Sequence, residues 1–123
     1  MKLRLLLALV LPLLLATAPV RADAFVAGTE DVPLMQGLVQ VESGALVFDK
    51  PEGRIIEAQA HGKLERSAVR DFYRSTLPQL GWKALAGNAW RREDEMLRVE
   101  IGGRDGDVSV GFTLSPYKEP HIQ

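Results

Sequence analysis

The stretch "AVRDFYRSTLPQLGW", residues 68–82, decides the fold. Val69, Phe72, Tyr73, Thr76, Leu77 and Leu80 fall at i, i+3, i+4, i+7, i+8 and i+11, the spacing of one apolar stripe along a helix. Ser67 is a good N-cap for it, and Arg70, Asp71, Arg74, Ser75 and Gln79 take the other side. Pro78 lacks an N–H for the Arg74 carbonyl and crowds it, so the helix is expected to kink or end near Leu77. Gly81 then permits an exit turn.

On either side the period changes from helical to alternating. Upstream, "ALVF" (45–48) is a short β-rich run, "DKPEGR" (49–54) carries turn residues, and "RIIEAQAHGKLE" (54–65) alternates Ile56, Ala58, Ala60 and Leu64 with Glu57, Gln59, His61 and Lys63. Downstream, "WKAL", "AWRR", "MLRVEI" and "VSVGFTL" are separated by the turn signals "AGN", "EDE" and "GGRDGD". The expected class is therefore α+β: one two-layer domain in which a single helix crosses one face of a mostly antiparallel sheet, in the order strand, strand, helix, then three or four strands.

This layout assigns Phe72, Leu77 and Leu80 to the core, against an apolar sheet face of Ile56, Ala58, Leu97, Val99, Ile101, Val108, Val110 and Phe112. Tyr73, Trp82 and Trp90 have a polar handle on an aromatic body. They can pack at a domain edge or line a ligand site there. The opposite sheet face carries Glu57, Gln59, His61, Lys63, Arg91, Arg98, Glu100, Ser109 and Thr113. It reads as a solvated face, with a shallow anion site at His61, Arg91 and Arg98 as the functional reading.

The N-terminus has the pattern of a secretory signal peptide over residues 1–22. Lys2 and Arg4 precede an apolar run from Leu5 to Leu15, and small residues follow before the first acidic residue, Asp23. The run is short for a membrane span and is interrupted by Pro12, so cleavage between Ala22 and Asp23 is expected, leaving no stable membrane anchor. The location is then the periplasm, with secretion as the alternative. Removing residues 1–22 takes three of 15 basic residues and leaves 12 against 16 acidic ones, moving the formal charge from -1 to -4. Nucleic acid is not expected as a partner of such a surface.

Residues 23–44, "DAFVAGTEDVPLMQGLVQVESG", show no sustained period and read as an extended apolar arm. Val32, Leu34, Met35, Leu38, Val39 and Val41 are too apolar for a solvated linker, so the arm either packs on its own domain or captures a partner, for which an envelope protein is the expectation. The domain proper is placed at 45–115 and a flexible tail at 116–123.

No cysteine occurs, which excludes disulfides and thiolate chemistry. His61 and His121 stand at no metal-ligand spacing, and no GxSxG, GxxxxGK[ST] or GxGxxG occurs. "DGD" (105–107) is too short a fragment for a calcium loop. No metal, cofactor or catalytic residue is expected. The segment "FYRSTLPQLGW", followed by a strand and "WRREDEMLRVEI", resembles small exported proteobacterial proteins of unassigned activity, in which a helix of the form FYxxxLPxxGW precedes a β-meander. The resemblance spans about residues 45–115 and implies an exported compartment and an α+β fold; it brings no catalytic residues with it. The expected function is thus a non-enzymatic accessory or protein-interaction module of the envelope; the alternative is a small-molecule binder with a pocket between the helix and a sheet edge.

Overall fold

The computed structural model describes residues 25–42 and 45–118. The expected signal peptide and its Ala22–Asp23 cleavage site lie outside the described residues, as does His121. One helix packs on one face of an open antiparallel sheet, which is the α+β arrangement the periodicities predict. In chain order the elements are β1 (Val39–Gln40), β2 (Leu46–Lys50), β3 (Gly53–Gly62), α1 (Arg66–Thr76), a 3-10 turn (Leu77–Leu80), β4 (Lys83–Ala84), β5 (Ala89–Arg92), β6 (Glu95–Arg104) and β7 (Asp107–Pro116).

The strands lie in the order β1, β3, β7, β6, β5, β4. β1 and β2 take successive parts of the same edge of β3: Val39 and Gln40 pair with His61 and Ala60, while Leu46–Lys50 pair with residues 57–53. Both edge pieces are short. The long strands β3, β7 and β6 form the centre, with Ala58 opposite Phe112 and Phe112 opposite Val99. The buried residues Ile56, Ala58, Ala60, Leu97, Val99, Val108, Val110 and Phe112 share the face that α1 covers.

Helix α1 begins one residue before the Ser67 cap read from the sequence, with Glu65 at the N-cap position and no side-chain cap bond. The cap comes from a distant element instead. Asp105, in the β6–β7 turn, accepts a hydrogen bond from the Arg66 N–H at 2.9 Å, satisfying one of the donors that a helix start leaves open. At the other end Pro78 stands in the 3-10 turn, and Gly81 (φ 90°) supplies the left-handed residue that closes it. Val69, Tyr73 and Leu77 are buried and Phe72 is partly buried, but Leu80 is 39% exposed, because the change from α to 3-10 winding carries it off the stripe.

Residues 25–42 are not an arm separate from a domain that starts at residue 45. Val26, Val32, Leu34 and Leu38 lie in the same core cluster as Leu77 and Phe112, and Met35 packs against it. The segment is folded locally by Val26 N–H to Val32 C=O at 2.8 Å and by the Gln40 amide, which accepts from the Ala27 N–H and donates to the Phe25 carbonyl. It is fixed to α1 by Tyr73, whose hydroxyl donates to Pro33 C=O at 2.9 Å and accepts from Met35 N–H at 3.2 Å. Gly62 marks a close approach: a Cβ there would collide with the Gly37 carbonyl. The segment is needed because a helix about 10 Å wide cannot cover strands spaced about 4.8 Å apart from β3 to β4, a span of roughly 19 Å.

The C-terminal boundary also moves. β7 continues to Pro116, Tyr117 N–H donates to Asp94 C=O at 2.7 Å, and the Arg91 guanidinium lies 4.3 Å from the Tyr117 ring centroid. The expected tail from 116 is therefore fixed at its first two residues.

Candidate functional site

The N-terminal segment runs along β3, and α1 lies over β6, next to β5 and β4. A cavity of about 350 Å³ lies there, between α1 and the β4–β5 hairpin. Its floor is Trp90, Val99 and Ile101 from the sheet; its walls are Tyr73, Arg70 and Arg74 from the helix and Ala84, Gly87 and Asn88 from the hairpin. Val99 is buried, whereas Trp90 and Ile101 are half-buried and open to the cavity. Arg70 and Arg74 stand one helical turn apart, and neither has an ion-pair or hydrogen-bond partner among the described residues. The Asn88 backbone carbonyl accepts from Val99 N–H at 3.0 Å, which holds the hairpin end against β6.

Of the three aromatic residues considered for a ligand edge, two line this cavity and one does not. Tyr73 is 2% exposed, its ring edge-on to Phe72 and Phe112 at centroid distances of 4.9 and 5.5 Å. Burial pushes its phenol well above the usual tyrosine range, partly offset by the hydrogen bond from Met35, so Tyr73 is a neutral wall and not an acid. Trp90 forms the floor. Trp82 is core: it is 2% exposed, its indole N–H is without a partner among the described residues, and the Arg92 guanidinium covers its ring at 4.4 Å. Arg92 is held by Asp31 of the N-terminal segment and donates to Leu80 C=O at 3.3 Å, a clamp between segment, 3-10 turn and β5.

The anion site at His61, Arg91 and Arg98 is not assembled. His61 shares a row with Ser109 and Gly102, whereas Arg98 shares one with Thr113 and Glu57. Two strand spacings across and four residues along put His61 and Arg98 roughly 16 Å apart. Arg91 is engaged elsewhere, by Tyr117 and by the Glu93 carbonyl at 3.2 Å. The partner-capturing reading of the arm fails for Val32, Leu34 and Leu38, which are buried, and for Met35, which packs on the core; Val39 is exposed and Val41 half-buried.

Apolar exposure concentrates instead at β2, where Leu46, Val47 and Phe48 are 49%, 47% and 48% exposed. Among the described residues the strand pairs only with β3, and its other edge carries no strand. Leu46 stands opposite Glu57 and Phe48 opposite Ile55, so both side chains stand on the open sheet face. Next to them Gly111, without a side chain between Gln59 and Glu100, helps to shape a shallow groove of about 500 Å³ lined by Val41, Leu46, Glu57 and Glu100. Its charged lining is acidic, and neither carboxylate has an ion-pair partner among the described residues.

Arg70, Arg74 and the β2 edge were not singled out by the sequence reading. Arg66, Arg70 and Arg74 do form a row at i, i+4 and i+8, a like-charge spacing that weakens an isolated helix and is visible without coordinates. Among the described residues no three His, Asp or Glu converge as metal ligands, and no helix is long and apolar enough to cross a membrane. Comparison with protein families, curated proteins and solved structures returns no match.

Proposed function

We propose that this chain is a non-enzymatic, exported module of the cell envelope that docks an extended segment of another envelope protein along β2. The observation that carries the reading is the β2 edge, unpaired among the described residues, with three consecutive exposed apolar side chains. Such an edge recruits a further strand: main-chain hydrogen bonds supply affinity and alternate side chains supply specificity. The groove beside it selects the occupant. Its Glu57 and Glu100, unpaired among the described residues and on a protein of net negative charge, favour a segment in which apolar residues alternate with lysine or arginine. Export rests on the charged and apolar pattern of residues 1–22.

The test uses two synthetic peptides, one alternating valine with lysine and one alternating valine with glutamate, against the mature chain, residues 23–123. The lysine peptide is expected to bind and to slow amide exchange along β2, and the glutamate peptide to leave it unchanged. The double variant L46K/F48K, altered only at exposed positions, is expected to lose at least about tenfold in affinity. Unchanged β2 exchange with the lysine peptide, or equal binding by the variant, would refute the reading.

A further inference from the structure

We propose that the cavity between α1 and the β4–β5 hairpin is a binding site for a small amphipathic carboxylate, independent of docking at β2. Three features of the site select this chemistry. The floor, made of Trp90, Val99 and Ile101, offers apolar surface that only an apolar or aromatic body can cover. The rim holds Arg70 and Arg74, at neighbouring positions on the helix surface and without an acidic partner among the described residues. Asn88, on the hairpin side, adds an amide whose side chain makes no hydrogen bond among the described residues.

The arginine row explains why the headgroup is an anion. Arg66, Arg70 and Arg74 place like charges one turn apart along α1, and the first turn of the helix has no acidic residue to offset them. A carboxylate between Arg70 and Arg74 relieves that repulsion and accepts charge-assisted hydrogen bonds from two planar guanidiniums, a geometry that an ammonium or a neutral polar group does not match. Inorganic phosphate satisfies the rim but leaves the floor uncovered. A neutral alcohol of the same chain length covers the floor but leaves the arginines unpaired. The cavity volume of about 350 Å³ lies at the lower end of the range for small-molecule sites, which suits a short acyl or single-ring body over a full lipid.

The experiment titrates the mature chain with octanoate, octan-1-ol, inorganic phosphate and phosphatidylglycerol vesicles, following the two tryptophan indole N–H signals by NMR. Octanoate is expected to shift the Trp90 signal saturably and to leave that of Trp82, buried under Arg92, in place. Octan-1-ol and phosphate are each expected to bind at least about tenfold more weakly, the loss that follows from removing charge-assisted pairing or apolar burial. The variant R70Q/R74Q, altered at two exposed positions and checked by circular dichroism, is expected to weaken octanoate by a similar factor. The proposal is overturned if octanoate does not bind, if it binds R70Q/R74Q as well as the parent, if octan-1-ol matches it, or if Trp82 moves in place of Trp90. Binding to anionic vesicles without binding to octanoate also overturns it, in favour of a membrane-surface role for the arginine row.

Discussion

A chain that starts at Gly44, lacking the N-terminal segment, is expected not to fold. Val26 and Val32 are 1% and 0% exposed, and Leu34 and Leu38 are also buried, so the truncation removes four core side chains. At about 1.5 to 3 kcal/mol for each full burial the loss is about 6 to 12 kcal/mol, and allowing for apolar surface already buried in the denatured chain lowers this to about 4 to 11. A domain of this size has about 5 to 15 kcal/mol of stability in total. The truncation also exposes the sheet face beneath the segment and strips Tyr73 of both hydrogen-bond partners, Pro33 and Met35. The assay is urea unfolding of chains starting at Asp23 and at Gly44, followed by circular dichroism. The shorter chain is expected to show no cooperative transition; one with a midpoint close to that of the longer chain would refute the placement of residues 25–42 in the core. The single change Val32→Ala, in the intact chain, is expected to cost about 2 kcal/mol.

Asp105→Ala should cost about 1 kcal/mol and speed amide exchange in the first turn of α1, since it removes the cap on Arg66. Arg92→Ala should exceed Asp31→Ala in cost: the half-exposed ion pair is worth about 1 kcal/mol or less, whereas loss of Arg92 also uncovers Trp82. Iodide quenching of Trp82 fluorescence in a W90F background should rise with Arg92→Ala and change little with Asp31→Ala. Tyr73 retains its proton more tightly folded than unfolded, so its contribution is complete below the unfolded value of about 10 and is lost as pH rises above it, with a slope of up to about 1.4 kcal/mol per pH unit. Urea midpoints at pH 9 and 11 should therefore fall further for the parent than for Tyr73→Phe, and parallel falls would count against the assignment.

Much of the architecture was legible because it is periodic and local. The 3.6-residue stripe from Val69 to Leu77, the alternation in Ile56–Ala60 and Val108–Leu114, and the turns at Pro51–Gly53 and Asp105–Gly106 each depend on neighbours within a few positions. Those signals determine helix, strands and the two-layer class. Residues 25–42 carry no such signal, because their order comes from contacts with Tyr73 and Gln59, far along the chain, and from an apolar face too wide for one helix. Composition alone said that they must bury something.

The candidate sites separate along the same line. Sequence placed His61, Arg91 and Arg98 on the open face by alternation, but only the pairing of β3 with β7 and of β7 with β6 decided that His61 and Arg98 stand in different rows. It marked Tyr73, Trp82 and Trp90 as edge aromatics, and the packing then divided them: Trp82 went under Arg92, while Tyr73 and Trp90 became wall and floor of a cavity. The β2 edge became a surface because no later strand among the described residues pairs with it. Amino-acid order by itself determined what each segment prefers, since propensity and amphipathic period are properties of short windows. Tertiary structure alone decided which preferences remained unsatisfied among the described residues, because an unpaired edge, an uncovered apolar floor and two arginines without carboxylates exist only once every other element has taken its place.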